Sequence, residues 1–222
     1  MATATVPPTR QTPHRFTVEE YYRMAEVGIL RPEARVELLD GEVVDMSPIN
    51  PPHASTVERV RDLLAGRTAG RAQVRSQNPV RLGEHSEPQP DLAVVRPRAD
   101  YYAAGHPEPA AIMLLVEVAD STLGEDRRRK LPLYARAGVA EVWLLDLQAR
   151  RLEVYREPGP AGYARTPTYQ PQQRVAPEAF PDVVLHVAEL LPPAAPDRDR
   201  APAPPPGRAA DRARERGWDL ER

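Results

Sequence analysis

The most continuous apolar stretch of the chain, Ile112 to Val118, has one charge in its interior, Glu117 in Leu114-Leu115-Val116-Glu117-Val118. A carboxylate taken out of water without a partner is costly, so Glu117 must be protonated, paired with a cation or bound to a metal. One of the many arginines would serve as that cation. A second carboxylate, Asp91 in Gln89-Pro90-Asp91, opens the run Leu92-Ala93-Val94-Val95. Alone, an Asp at a strand end reads as a turn residue. Two carboxylates on neighbouring strands can instead converge on a hard divalent cation such as Mg2+, which prefers oxygen ligands and keeps waters that can become nucleophiles.

The 30 basic residues resolve into 29 Arg and a single Lys, Lys130. A chain this biased toward guanidinium should keep an ammonium mainly where Arg cannot do the same work, because Lys is compact and tunable. Lys130 falls on the helix predicted after the apolar strand, from which an inward side chain would return to the carboxylates. The competing reading is an Asp126 to Lys130 pair at i, i+4 on a solvated face. Arg would serve that purpose equally well, which favours the inward reading.

Composition narrows the chemistry. With 30 Lys+Arg against 32 Asp+Glu the net charge is -2, so no strongly basic domain attracts a polyanion from a distance. The absence of cysteine excludes disulfides, Cys-ligated zinc, Fe–S clusters and thiol nucleophiles, so any metal is held by oxygen or imidazole. The longest apolar run, Pro109 to Val116, is too short to cross a bilayer, and a cytoplasmic protein is expected. There is no Gly-rich phosphate loop, and the histidines His14, His53, His85, His106 and His186 are scattered.

The elements that must position these residues can be read from local pattern. Residues 1–15, with Pro7, Pro8 and Pro13, read as a disordered lead-in. Thr17 and Glu20 have capping-box spacing ahead of a short helix to about Val27. Asp40-Gly41 between two apolar runs predicts a tight hairpin, and Val57, Val60, Leu63 and Leu64 predict an amphipathic helix from His53 to about Gly66. Strands are expected at 72–77, 79–82, 91–95, 112–118 and 141–146, with a helix over 125–137 ended by Gly138. Edge strands are expected at 151–156, 163–169 and 183–187. One domain spans residues 16–191; from Pro192 to Pro206 seven of fifteen residues are proline, a linker leading into a charged tail.

The succession Val36-Glu37-Leu38-Leu39-Asp40-Gly41-Glu42, Met46-Ser47-Pro48 with His53, Gln89-Pro90-Asp91-Leu92, Val116-Glu117-Val118-Ala119-Asp120, Asp126 with Lys130, and Tyr134-Ala135-Arg136-Ala137-Gly138 through Trp143 resembles the putative restriction endonuclease family of the PD-(D/E)XK nuclease superfamily. The resemblance covers roughly Phe16 to Leu190. It implies an α/β fold, a restriction-endonuclease-like mixed β-sheet core flanked by helices, and a Mg2+- or Mn2+-dependent endonuclease acting on DNA, as a homodimer. It further implies catalytic roles for Asp91, Glu117, Lys130 and Glu37. Asp91, Glu117 and the Val118 carbonyl would hold the metal, with Glu37 binding a second cation or fixing the first one's waters. The superfamily's Lys is expected at position 119, which is Ala119 here; Lys130 resembles the displaced Lys of this family.

Around these residues some readings stay open. His53 is a substrate contact or a capping and packing histidine; Tyr134 bonds the site or fills the core; Asp126 positions Lys130 or serves as a ligand. Arg127, Arg128 and Arg129, with Arg75 and Arg81, form either a basic surface for DNA or ordinary solvated charge. A metal-dependent hydrolase of another phosphate ester, such as a nucleotide, is disfavoured by the lack of a Gly-rich loop and of a dense His/Asp cluster. The other alternative to a nuclease is a non-catalytic descendant of the fold that binds DNA or protein. A broken acidic set would favour it, and Glu37, Asp91, Glu117 and Lys130 are all present.

Overall fold

In the computed structural model, residues 12–120 and 123–193 are described. The linker and tail expected beyond Pro193, and lead-in residues 1–11, lie outside the described residues; by contacts the chain divides after Pro192.

Thr17 and Glu20 close the capping box that starts α1 (Val18–Glu26): Glu20 N–H donates to Thr17 Oγ1 at 3.1 Å, and Thr17 N–H to Glu20 Oε2 at 2.8 Å. Only Val18 of this helix is buried, so α1 lies over an edge of the fold. β1 (Val36–Leu39) and β2 (Glu42–Asp45) pair antiparallel about Asp40 and Gly41, whose φ values of 55° and 83° are those a two-residue turn requires. α2 (Pro51–Arg67) starts earlier than the expected His53. Asn50 caps it by accepting the His53 N–H at 3.0 Å, and the prolines at 51 and 52 occupy first-turn positions that need no N–H.

The main sheet runs in chain order: β3 (Gln73–Ser76), β4 (Leu92–Val95), β5 (Ile112–Ala119), β6 (Glu141–Asp146), β7 (Arg151–Gly159), β8 (Gly162–Arg165), with β9 (Thr168–Tyr169) also paired to β7. It is mixed, because β5 and β6 are parallel and the other pairs antiparallel. The β5–β6 crossover carries α3 (Leu123–Glu125), a π-helical turn (Asp126–Lys130) and α4 (Leu131–Arg136). β10 (Arg174–Val175), β11 (Leu185–His186) and α5 (Val187–Leu190) complete the domain.

Period-two alternation divides the core between the two sheet faces. Leu114, Val116 and Val118 pack with Val57, Val60 and Leu64 of α2 on one face. Leu115 and Ala119 pack with Leu131 and Tyr134 on the other. β5 is thus covered on both sides, as its apolar run, interrupted only by Glu117, predicts.

Three expected strands differ, and the one at 183–187 is reduced to the two residues of β11, with Val187 opening α5. Residues 79–82 form no strand: Pro79 lacks a donor, and the Leu82 N–H bonds back to Ser86 O at 3.0 Å across a reversal at Gly83. The expected strand 163–169 is divided into β8 and β9 around Pro167, whose carbonyl accepts the Val154 N–H at 2.9 Å.

Candidate active site

Antiparallel pairing of Leu92 with Val116 makes Asp91 and Glu117 the next facing pair of the β4–β5 ladder. Asp91 Oδ2 accepts the Val118 N–H at 2.8 Å and meets His53 Nε2 at 3.1 Å. Glu117 shares its face of β5 with Leu115 and Ala119, the face that the crossover helix covers.

That helix carries Pro132 in its interior. Lacking an N–H, Pro132 cannot continue the i to i−4 ladder, and its ring crowds the preceding turn. The chain widens into the π-helical turn Asp126–Lys130 immediately before it, which buries both Asp126 and Lys130. Lys130 Nζ lies 3.3 Å from Glu117 Oε1 and 3.5 Å from Glu37 Oε2. One helical turn later, the Tyr134 hydroxyl donates to Glu117 Oε1 at 2.5 Å.

Glu37 arrives from the β1–β2 hairpin, docked by the Glu87 N–H to Leu38 O bond at 2.8 Å. Its Oε2 also accepts the Gln89 N–H at 3.0 Å, two residues before Asp91. The structure therefore brings Glu37, Asp91, Glu117 and Lys130 into one cleft of about 150 Å3.

Glu37, Glu117, Asp126 and Lys130 are only 6%, 3%, 7% and 9% exposed, so their charges answer to one another more than to solvent. Burial pushes the Glu117 carboxyl up to about 8; Lys130 opposes this, and Asp126 and Asp91 reinforce it. Burial would lower the Lys130 ammonium, but Glu117, Glu37, Asp126 and Asp91 outweigh it and raise its pKa. His53 is raised chiefly by its hydrogen bond to Asp91, against the effect of its own burial.

Several readings left open by the sequence are resolved. Lys130 is not on a solvated face, and the cation beside Glu117 is this Lys and not an arginine. Tyr134 both fills the core and bonds Glu117. His53 meets Asp91 from the first turn of α2, while its buried Nδ1 has no hydrogen-bond partner. Two arginines of the basic run are matched by acids: Arg127 pairs with Glu153, and Arg129 Nη2 with Glu42 Oε2 at 2.6 Å. Arg81 pairs with Glu19, and Arg75 lies over the Tyr102 ring. Sequence reasoning missed Asn50 and Asp120 at the rim, joined by an Asn50 Nδ2 to Asp120 Oδ2 bond of 2.7 Å. The signal for Asn50 was its place ahead of two prolines, the pattern of a helix cap.

Among the described residues no helix is long and apolar enough to cross a membrane. No curated protein matches the chain. The crystal structure of a putative nuclease from Anabaena variabilis superposes with a TM-score of 0.61 at 17% identity, over 79% of this chain and 97% of that one, so the two share a fold. The family model Uma2, described as putative restriction endonuclease, matches residues 18–188. That span runs from the first residue of α1 into α5 and takes in every residue of the cleft, and the chain belongs to this family of putative restriction endonucleases.

Proposed function

We propose that the cleft hydrolyses DNA phosphodiester bonds as a divalent-cation-dependent endonuclease. The observation that carries this is the single ammonium of Lys130 between Glu37 and Glu117, beside Asp91 on the adjoining strand.

The donor set suits a hard cation. The cleft lining holds six carboxylates against three Arg or Lys side chains, and a phosphate would be repelled without added positive charge. Among the described residues no three His, Asp or Glu side chains form a ready metal cage. Two carboxylates and a carbonyl match Mg2+ or Mn2+, which retain several waters. Asp91, Glu117 and the Val118 carbonyl would hold the cation, with Glu37 holding its waters or a second ion. Once bound, it supplies a Lewis acid and a water of lowered pKa.

The chain's own groups prepare that site. The Val118 N–H and His53 fix Oδ2 of Asp91, and the Tyr134 hydroxyl fixes Oε1 of Glu117. Lys130 stands where it orients the attacking water and offsets negative charge gathering on the phosphorane oxygens. The homodimer implied by family resemblance belongs to the same proposal, and sedimentation of the purified chain checks it.

The test is incubation of plasmid and single-stranded DNA with purified protein and Mg2+ or Mn2+, beside Glu117→Ala. Cleavage by the wild type alone is expected. Equal cleavage by both proteins, or by neither, contradicts the proposal.

A further inference from the structure

One wall of the cleft is apolar, formed by Leu39, Val44, Met46, Pro48 and Ile49, and hydrolysis itself has no use for it. Val44 pairs directly with Glu37 across the hairpin, which places their Cβ atoms about 5 Å apart. The wall thus begins beside the reacting centre. It continues outward to Ile49, which is 39% exposed.

The segment that forms its outer part is braced at both ends. Arg35 Nη1 donates to the Ser47 carbonyl at 3.1 Å, and Asn50 Nδ2 donates to Asp120 at 2.7 Å. Exposed Pro48 and Ile49, beside half-buried Met46 on a braced segment, have the chemistry of side chains that wedge against unstacked bases. A continuous duplex keeps its base faces stacked, so beside the scissile phosphate such a wall would meet only sugar, phosphate and groove edges.

Charge points the same way. Tracking a duplex relies on Lys and Arg neutralising successive phosphates. Around this cleft Arg129 is matched by Glu42 at 2.6 Å, Arg136 by Asp40 at 3.6 Å and Arg127 by Glu153. An unpaired strand adds contacts with its base faces to those with its phosphates, and so leans less on phosphate charge alone than a duplex does.

We infer that the strand cut here enters unpaired, with a base lodged against Val44, Met46 and Ile49, so that the substrate is single-stranded or locally unpaired DNA. This rests on the nuclease reading above. Opening a duplex costs unstacking free energy that an already unpaired strand does not, which sets the preference.

The test compares a labelled single strand, the blunt duplex of the same sequence and the small diester bis(4-nitrophenyl) phosphate, all with Mn2+. Wild-type protein is expected to cut the single strand about tenfold or more faster than the duplex. Ile49→Ser and Met46→Ser, checked for folding by circular dichroism, should each slow single-strand cleavage about tenfold and small-diester hydrolysis by less. Duplex cleavage as fast as single-strand cleavage overturns the inference and leaves the nuclease reading standing. So does a single-strand preference that neither variant alters. Failure to cut any of the three substrates removes the nuclease reading and this inference with it.

Discussion

Lys130 Nζ lies 3.5 Å from Glu37 Oε2, joining the crossover helix to a two-stranded hairpin outside the main sheet. The contact makes the N-terminal hairpin part of the site. It also explains why the one lysine of the chain sits here: a compact ammonium reaches two carboxylates in a space where a planar guanidinium fork would need more room.

Lys130→Ala leaves Glu37 and Glu117 buried without their shared cation. Breaking a buried pair in this way costs about 3–5 kcal/mol, and least below about pH 8, where Glu117 already keeps its proton. Urea unfolding should show a loss near the lower end of that range, and DNA cleavage should vanish. Lys130→Arg is the sharper check. It keeps the charge, yet is expected to slow cleavage at least about 100-fold because the donor no longer occupies the same point. Full activity in Lys130→Arg would make Lys130 a structural charge only.

The raised Glu117 pKa predicts a pH slope of a definite sign. Between the ordinary carboxylate range and about 8, the folded protein keeps a proton on Glu117 that the unfolded chain has released. Raising the pH through that window in cation-free buffer therefore lowers stability, and the contribution is complete only below the unfolded carboxylate pKa. Glu117→Gln, which cannot titrate, should flatten the slope in urea unfolding measured across the window. An unchanged slope would place the titrating group elsewhere.

The sequence carried much of this site because several signals are local. A capping box, an Asp-Gly turn and a charge inside an apolar strand each act over a few residues, and Thr17, Gly41 and Glu117 all stand where those rules put them. The inward turn of Lys130 was readable only as a preference, since the π-helical turn that buries it arises from Pro132 and tertiary packing together. His53 stayed open for a similar reason. A histidine in the first turn of a helix looks the same in sequence whether it caps, packs or meets Asp91 from another element. The failed strand at 79–82 shows the same limit, because its apolar residues pack while its N–H groups bond to Pro88, Pro107 and Ser86 and not to a strand ladder.

His53 and the Val118 N–H both bond Oδ2 of Asp91, so His53 acts as a positioning residue for that carboxylate. Under the proposed chemistry, His53→Ala should weaken Mn2+ binding about 10- to 100-fold, as outer-shell substitutions at metal sites do. His53→Gln, whose amide N–H can replace the Nε2 donor, should recover most of that loss. Calorimetric titration with Mn2+ checks both. Equal affinity in wild type and His53→Ala would reduce His53 to a packing residue.

A second buried charge lies away from the cleft. Glu141 is fully buried; its Oε1 accepts from Trp143 Nε1 at 2.8 Å and Arg156 Nη2 at 2.6 Å, and its Oε2 from the Glu178 N–H at 2.6 Å. Burial raises its pKa against these bonds, so the charged form depends on Arg156. Trp143 packs on the sheet face opposite the one that Glu117 shares with Leu115, which separates this pair from the chemistry. Arg156→Ala should therefore cost about 3–5 kcal/mol in urea unfolding by stranding the carboxylate. Glu141→Gln should cost less, because the amide oxygen still accepts from Trp143 and Arg156. In both variants the cleavage rate per folded molecule should match wild type. A fall in that rate without loss of stability would mean that the two faces of the sheet are coupled through β6.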